Sequence, residues 1–411
     1  MNILLVTTRY PWPPRRGDQL RTVQMLDLLS GEHAVTLLTP APRKSAAAMT
    51  SFRDGSAPVL PPRNVQEIQE AVRIETYESG GVGAAAEGFA RAAVGGWPLQ
   101  SGLFHLPGLG RRLRALAPRA DLAVMQLARL AIHLDDFGNT PLLIDLIDSL
   151  SLNLARRAAC DRRWLRPLLR LEAGRLARAE TRLAARARAV VVVSERDRLA
   201  LAGRMPAALA GRLGLVGLAV EPGAHAEQRE PRRGGPVLAI TGNLGYFVNA
   251  DAVLWWLGAV WPLLRARRPD VRLEVAGDRP RPAVRRAVTR AGALLIESPA
   301  DLRQVLAGAT IALAPLRCGS GVPLKVLEAW AAGIPVVATP WAAAGTSGRP
   351  GEDLRVAERP QEWVETLLDL LDDPAARRRL AENGRRRLEA DYSRAAVGRQ
   401  LAHAIELACS G

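Results

Sequence analysis

The sequence predicts an α/β protein built from two Rossmann-like, doubly wound domains facing across a cleft. Three observations carry this. The chain has 411 residues, too many for one ordinary core at roughly 150 residues per domain. Short aliphatic runs alternate with helically patterned segments, and this series occurs twice. A polar stretch rich in Pro and Gly, EPGAHAEQREPRRGG at 221–235, separates the two series and suits a linker. The expected division is a first domain over 1–218, a linker over 219–235, a second domain over 236–390 and a helical tail over 391–411.

Each element follows in order. NILLVT at 2–7 reads as a buried parallel strand. RYPWPPRRGDQ is a loop punctuated by prolines and Gly17, LRTVQMLDLLS has helical spacing, and HAVTLLTP is a second strand. Together they make one βαβ unit. Strands are expected again at 122–128, 141–148 and 189–194. After the linker the alternation is clearer. PVLAITG, VRLEVAG, ALLIES, IALAPL and PVVATP read as strands, with helical segments between them. Ligands of such sheets sit at the carboxyl ends of the strands, which makes the cleft the expected site.

Composition excludes several classes. Apolar residues make up 48% and charged residues 24%, which is neither disordered nor fibrous. The N-terminal apolar run is too short for a signal segment, and no run approaches about 18 apolar residues. Cys160, Cys318 and Cys409 have no close spacing, so neither a zinc set nor a disulfide framework is expected. These features point to the cytoplasm. The net charge is +15, and of 56 basic residues only Lys44 and Lys325 are lysine. Arginine is thus largely a background habit of this chain. Between 154 and 188 stand eleven arginines against Asp161, Glu172 and Glu180. Two readings stand: a solvated helix face, or a peripheral contact with anionic lipid on the inner face of a membrane. No nucleic-acid motif is present, so no nucleic-acid partner is expected.

The chemistry concentrates at 314–340, APLRCGSGVPLKVLEAWAAGIPVVATP. A strand enters Gly319-Ser320-Gly321 and then a helix carrying Lys325 and Glu328. A glycine turn at a helix N-terminus offers free N–H groups to phosphate. Lys325 adds a point charge there, and Glu328, three residues on, shares its face and can accept from vicinal hydroxyls. The same pattern also serves as an ordinary turn followed by a surface ion pair.

This stretch resembles the donor segment of glycosyltransferase family 4, retaining enzymes of the GT-B fold. It is closest to the branch with R-x-G-S-G-x-x-x-K-x-L-E-A, which includes sugar transferases of bacterial polysaccharide systems. Here the matching residues are Arg317, Gly319, Ser320, Gly321, Lys325, Leu327, Glu328 and Ala329. The opening βαβ, the G-x6-N-x-x-A segment beginning at Gly242, the turn in LEVAGDRP and the helical tail resemble the family too. The resemblance implies an acceptor-binding first domain, a donor-binding second domain and a last helix that crosses back to the first. It implies a nucleotide-diphosphate sugar as co-substrate, with no other cofactor and no metal. Glu328 would hold the ribose; Lys325 and Arg317 would face the diphosphate. Gly319, Ser320, Gly321 and Leu324 would approach donor phosphate or sugar, Gly242 and Asn243 would lie beneath the diphosphate, and Gly17 would let a loop close over the donor. Reaction by same-face substitution would need no protein nucleophile, and stabilisation of the departing diphosphate would carry most of the catalysis.

The chain departs from the family in three places. Ser320 stands where many members place the first Glu of Glu-x7-Glu. GNLGYFVNAD lacks the usual Arg and Lys. LLIDLIDSL carries Asp145 and Asp148 where many members have a His. Asp148 is a candidate acceptor base or sugar ligand, with a helix cap as the alternative. Trp12, Asp145 and His105 are candidate acceptor contacts, while Trp255 and Trp256 are expected in the core. The leading expectation is a retaining glycosyltransferase acting on a lipid-linked saccharide, an envelope glycan or a small molecule. A nucleotide-sugar 2-epimerase and an inactive GT-B scaffold are the rivals. The donor's base stays open among UDP, GDP, ADP and dTDP.

Overall fold

The computed structural model describes residues 1–14, 16–42, 65–78, 82–160, 163–222, 235–299 and 302–410. Residues 223–234 of the expected linker, Lys44, Asp161 and Arg162 lie outside the described residues. The chain forms two compact units that part at Ala219 and again at Ala396, with the residues from Val397 onward returning to the first.

The first unit holds β1 (Asn2–Val6), β2 (Ala34–Pro40), β3 (Val72–Tyr77), β4 (Leu122–Gln126), β5 (Leu142–Ile147), β6 (Ala189–Val192) and β7 (Leu213–Leu215). They form one sheet in the order β3-β2-β1-β4-β5-β6-β7, every pair parallel. The unbroken aliphatic runs follow from this burial on both faces: all five residues of β4 are buried. Val6 registers with Leu38 on one side and Met125 on the other. The carboxyl ends of β1 and β4 therefore flank the point where the strand order reverses, where open α/β sheets take ligands.

The second unit repeats the plan with β8 (Val237–Thr241), β9 (Arg272–Gly277), β10 (Leu294–Glu297), β11 (Ile311–Ala314), β12 (Val336–Ala338) and β13 (Arg355–Val356). Its order is β10-β9-β8-β11-β12-β13, again all parallel, with the reversal between β8 and β11. The core gathers Leu238, Ile240, Val253, Trp256, Leu313 and Trp363. Trp256 is fully buried, with the rings of Trp261 and Trp363 at 5.8 and 6.3 Å.

Several elements differ from the expectation. β3 was not foreseen because it is an edge strand with three of its six residues exposed, which dilutes the aliphatic signal. β7 and β13 have only three and two residues. The arginine-rich segment is two helices, Leu150–Cys160 and Arg166–Arg186, separated by the short turn Arg163–Leu165. Pro167 fits the first turn of the second helix, where its missing N–H costs nothing. The tryptophan-rich helix breaks at Val260 into Phe247–Ala259 and Trp261–Arg267, because Pro262 cannot donate to the turn before it. The last helix, Arg394–Cys409, lays Val397, Leu401, Ala404, Ile405 and Ala408 on the first unit's cluster with Ile3, Leu5, Val23 and Leu26. That spacing is one helical face, and each large aliphatic side chain buried there stabilises by about 1.5–3 kcal/mol.

Candidate functional site

The carboxyl edge of the second sheet is shaped by main chain. β8 ends in Gly242 at φ 137°, and β9 ends in Gly277 at φ 154°. A Cβ on Gly277 would stand 1.7 Å from the Gly242 carbonyl oxygen, so only glycine lets these two turns meet. β11 leads into Gly319 at φ 114° and Gly321 at φ 71°, then into the helix Leu324–Ala331. Gly319 backs onto Val248, whose Cγ1 would lie 3.3 Å from an added Cβ.

Lys325 crosses from this helix to the β8 turn. Its Nζ donates to Asn249 Oδ1 at 2.8 Å, and Asn249 Nδ2 donates to the Asn243 carbonyl at 3.0 Å. An added Cβ on Gly242 would lie 3.3 Å from that Nζ. The ammonium thus sits beneath the glycine turn, and the side chain is only 8% exposed. Burial lowers the Lys325 pKa to about 8, with Glu328 opposing the shift. Burial likewise raises Glu328 to about 7, with Lys325 opposing it. Both groups are thus poised to change charge when a ligand changes their surroundings. Asn249 was part of the sequence motif but had no role there. Its position one residue before Ala250 on a buried helix face gave no sign that its side chain would hold Lys325.

The remaining donor candidates fall around this pair. Asn243 Oδ1 accepts from the Gly245 N–H at 3.0 Å, which shapes the turn from its own side chain. Ser320 and Leu324 are half-buried, and Gly321 is buried. Arg317 is held by a carboxylate. Its guanidinium grips Asp251 through two bonds of 2.7 and 3.0 Å and lies 5.5 Å from the centre of the Trp255 ring. The buried Thr339 was missed by the sequence reading. It caps the short helix Pro340–Ala343 and donates to the Leu316 carbonyl, tying the β12 exit to the β11 loop.

In the first unit, Gly17 opens the helix Gly17–Leu29. Among the described residues a Cβ there would meet nothing within 4 Å, so no contact with them demands glycine. Asp148 is half-buried and follows Ile147, which stands at φ 62°. Asn153 Nδ2 donates to its Oδ2 at 3.4 Å. The three acceptor candidates Asp145, Trp12 and His105 are all buried. Asp145 is wholly buried and paired with buried Arg21 at 2.9 Å; its Oδ1 takes the Ile147 N–H at 3.0 Å. It is a structural carboxylate holding the turn before Asp148. Trp12 is 6% exposed within the aliphatic cluster of Ile3, Val23 and Leu26, edge-on to Tyr10 at 5.5 Å. Its ring offers no open stacking face. His105 stacks on His133 at 5.7 Å with planes 14° apart, and burial lowers its pKa, chiefly by desolvation.

Residues 235–373 match the family model described as "Glycosyl transferases group 1". The chain is 29% identical over 192 residues to a GDP-mannose-dependent monoacylated alpha-(1-6)-phosphatidylinositol monomannoside mannosyltransferase of Corynebacterium glutamicum, covering 42% of this chain and 47% of that protein. It is 26% identical over 160 residues to an uncharacterized 44.6 kDa protein in the cps region of Klebsiella pneumoniae, covering 37% and 41%. The chain thus spans under half the length of these curated relatives. HepE of Anabaena, solved in complex with UDP, has a similar fold, with a TM-score of 0.68 at 14% identity over 98% of this chain and 99% of that one. Two parallel sheets wound alike give the chain the GT-B fold, and its second unit is similar to the group 1 glycosyl transferases.

Proposed function

We propose that the protein moves a sugar from a nucleotide-diphosphate sugar to a hydroxyl acceptor with retention of configuration. The observation that carries this is the buried Lys325 ammonium beneath the Gly242 turn, with Glu328 one helical turn away. In this reading Glu328 as a carboxylate accepts from the ribose hydroxyls. Lys325 and the N–H groups about Gly319–Gly321 receive the negative charge that develops on the departing diphosphate. The reaction proceeds without metal. HepE is solved with UDP and with UDP-glucose, and the Corynebacterium relative is named for GDP-mannose; both support a nucleotide sugar as donor. Asp148 serves the acceptor hydroxyl.

The acceptor in this proposal is a lipid-linked saccharide or envelope glycan, reached by a cytoplasmic protein that touches the membrane. The arginine-rich helices favour that contact. Trp164 is 71% exposed and Leu168 and Leu171 are each 54% exposed; they stand among Arg163, Arg166 and Arg170. Exposed aromatic and aliphatic side chains ringed by arginine suit an anionic interface. The test is release or transfer of sugar from a panel of UDP-, GDP-, ADP- and dTDP-sugars, with and without a chelator. Turnover with one donor that resists chelation and is lost in Glu328→Ala supports the reading. Absence of turnover and binding with every donor refutes it.

A further inference from the structure

The Lys325 ammonium is buried, and a buried cation needs a partner. Among the described residues no carboxylate forms an ion pair with it, and Glu328 acts on it through charge alone. The partner is an amide. Lys325 Nζ donates to Asn249 Oδ1 at 2.8 Å, and Asn249 Nδ2 donates to the Asn243 carbonyl at 3.0 Å.

That amide can stand only one way round. An ammonium has donors and no acceptor, and a carbonyl only accepts. Turned over, the amide would set Nδ2 against Nζ and Oδ1 against the carbonyl oxygen, and both bonds would be lost. Each contact therefore fixes the orientation that the other needs. All three groups lie to one side of Gly242. A Cβ there would stand 3.1 Å from Asn249 Nδ2, 3.3 Å from Asn249 Cγ and 3.3 Å from Lys325 Nζ. The helix that supplies Asn249, Phe247–Ala259, braces the site at two further points. Val248 backs onto Gly319, and Asp251 holds Arg317. Asn249 stands between these two braces and alone reaches the ammonium.

We propose that Asn249 is the positioning residue of Lys325: it carries the ammonium on its oxygen and the Asn243 main chain on its nitrogen, and so keeps the cation aimed at the Gly242 turn. This rests on the donor reading and deepens it, since Lys325 attracts diphosphate only while it is charged and in place. The two halves of the amide do separable work. Oδ1 favours the protonated lysine, and Nδ2 fixes where that lysine stands.

The test uses the scarcity of lysine. The chain has only Lys44 and Lys325, so lysine labelled with carbon-13 at Cε gives two signals, and Lys44→Arg leaves that of Lys325. In this background a pH titration by NMR follows Lys325 directly, with no nucleotide present. Asn249→Leu removes the acceptor and lowers the midpoint. Asn249→Asp sets a carboxylate beside the ammonium and raises it. Each shift is expected to be about one pH unit or more. Both variants lose the tie to Asn243, and the new carboxylate also repels phosphate. Calorimetry at pH 7.5 with UDP, GDP, ADP and dTDP should therefore show nucleotide binding weakened roughly tenfold or more in each. A residue that merely packs would change stability without moving the two midpoints in opposite directions. Midpoints that stay at the wild-type value, or that move the same way in both variants, overturn the proposal. Wild-type nucleotide affinity in both variants overturns it too. Opposite midpoint shifts in a protein that binds none of the four nucleotides would leave Asn249 its role and sink the donor reading alone. Nucleotide binding that is lost in Lys325→Ala, with midpoints unmoved by either Asn249 variant, would sink the positioning role alone.

Discussion

At the carboxyl edge of the second sheet the backbone turns through glycine, with Gly242, Gly319 and Gly321 at positive φ. At the matching edge of the first sheet the turns fall to Leu127 and Ile147. Glycine takes this conformation freely and leaves neighbouring N–H groups uncovered. Leucine and isoleucine take it only where their surroundings force it. The two edges therefore do different work. The second is a main-chain cradle closed from below by Lys325. The first is a strained edge whose turns lead to Arg129 and Asp148. Its strain is held by buried pairs such as Arg21–Asp145, whose carboxylate also holds the Ile147 N–H.

The comparison can be broken at either edge. The largest effect is expected from Gly277→Ala, because the new Cβ would stand 1.7 Å from backbone oxygen. We expect a loss of at least about 4 kcal/mol in denaturant unfolding, whereas Gly17→Ala, whose Cβ meets nothing within 4 Å, leaves stability unchanged. Next comes Asp145→Ala, which strands Arg21 in the core and should cost roughly 3–5 kcal/mol. A melting temperature equal to wild type would remove Asp145 from its supporting role. Lys325→Ala should lower kcat by roughly a hundred- to thousandfold, the usual effect of deleting one preorganised donor to a developing anion. Lys325→Arg should also fail, since the space beneath Gly242 suits a compact ammonium and not a fork. Full activity in the arginine variant would show that any cation suffices.

A pH profile sharpens the same edge. Glu328 must be ionised to accept hydrogen bonds, and its pKa is raised to about 7. Lys325 must be protonated to attract diphosphate, and its pKa is lowered to about 8. Nucleotide affinity should therefore fall below about 7 and again above about 8. A flat profile from pH 6 to 9 would separate these groups from binding. The smallest effect is expected at Arg317. Its bond to Asp251 joins side chains that are 41% and 17% exposed, so Arg317→Ala should cost about 1 kcal/mol of stability or less and leave nucleotide affinity nearly unchanged. A loss of affinity comparable to that of Lys325→Ala would restore Arg317 to the diphosphate site.

How legible each edge was in the sequence follows from the same contrast. Glycines beside a helix start announce a turn of main chain, so the loop of Gly319 and Gly321 and the helix carrying Lys325 and Glu328 were legible before any coordinates. Buried aliphatic strands were equally plain, because parallel sheets hide both faces. What escaped were features decided by tertiary contact. Asn249 looks like any polar residue on a helix until its Oδ1 meets Lys325. Arg317 fits the donor motif, yet Asp251, one turn into a neighbouring helix, takes its fork. Asp145 and Trp12 read as cleft residues because strand ends and loops usually face solvent, while Arg21 and the aliphatic cluster draw them inward. Leu127 and Ile147 carry no sequence signal for positive φ, since their side chains argue against it. Edge strand β3 alternates charged and apolar residues and was lost among the loops around it.

Nucleotide binding by the second unit through Lys325 and Glu328 is the central claim. The most direct measurement is calorimetric titration of the full chain at pH 7.5 with UDP, GDP, ADP and dTDP, repeated in Lys325→Ala and Glu328→Ala. At least one nucleotide should bind, one per chain, and each variant should weaken it by roughly tenfold or more, about 1.4 kcal/mol. Binding of none of the four, or wild-type affinity in both variants, would contradict it.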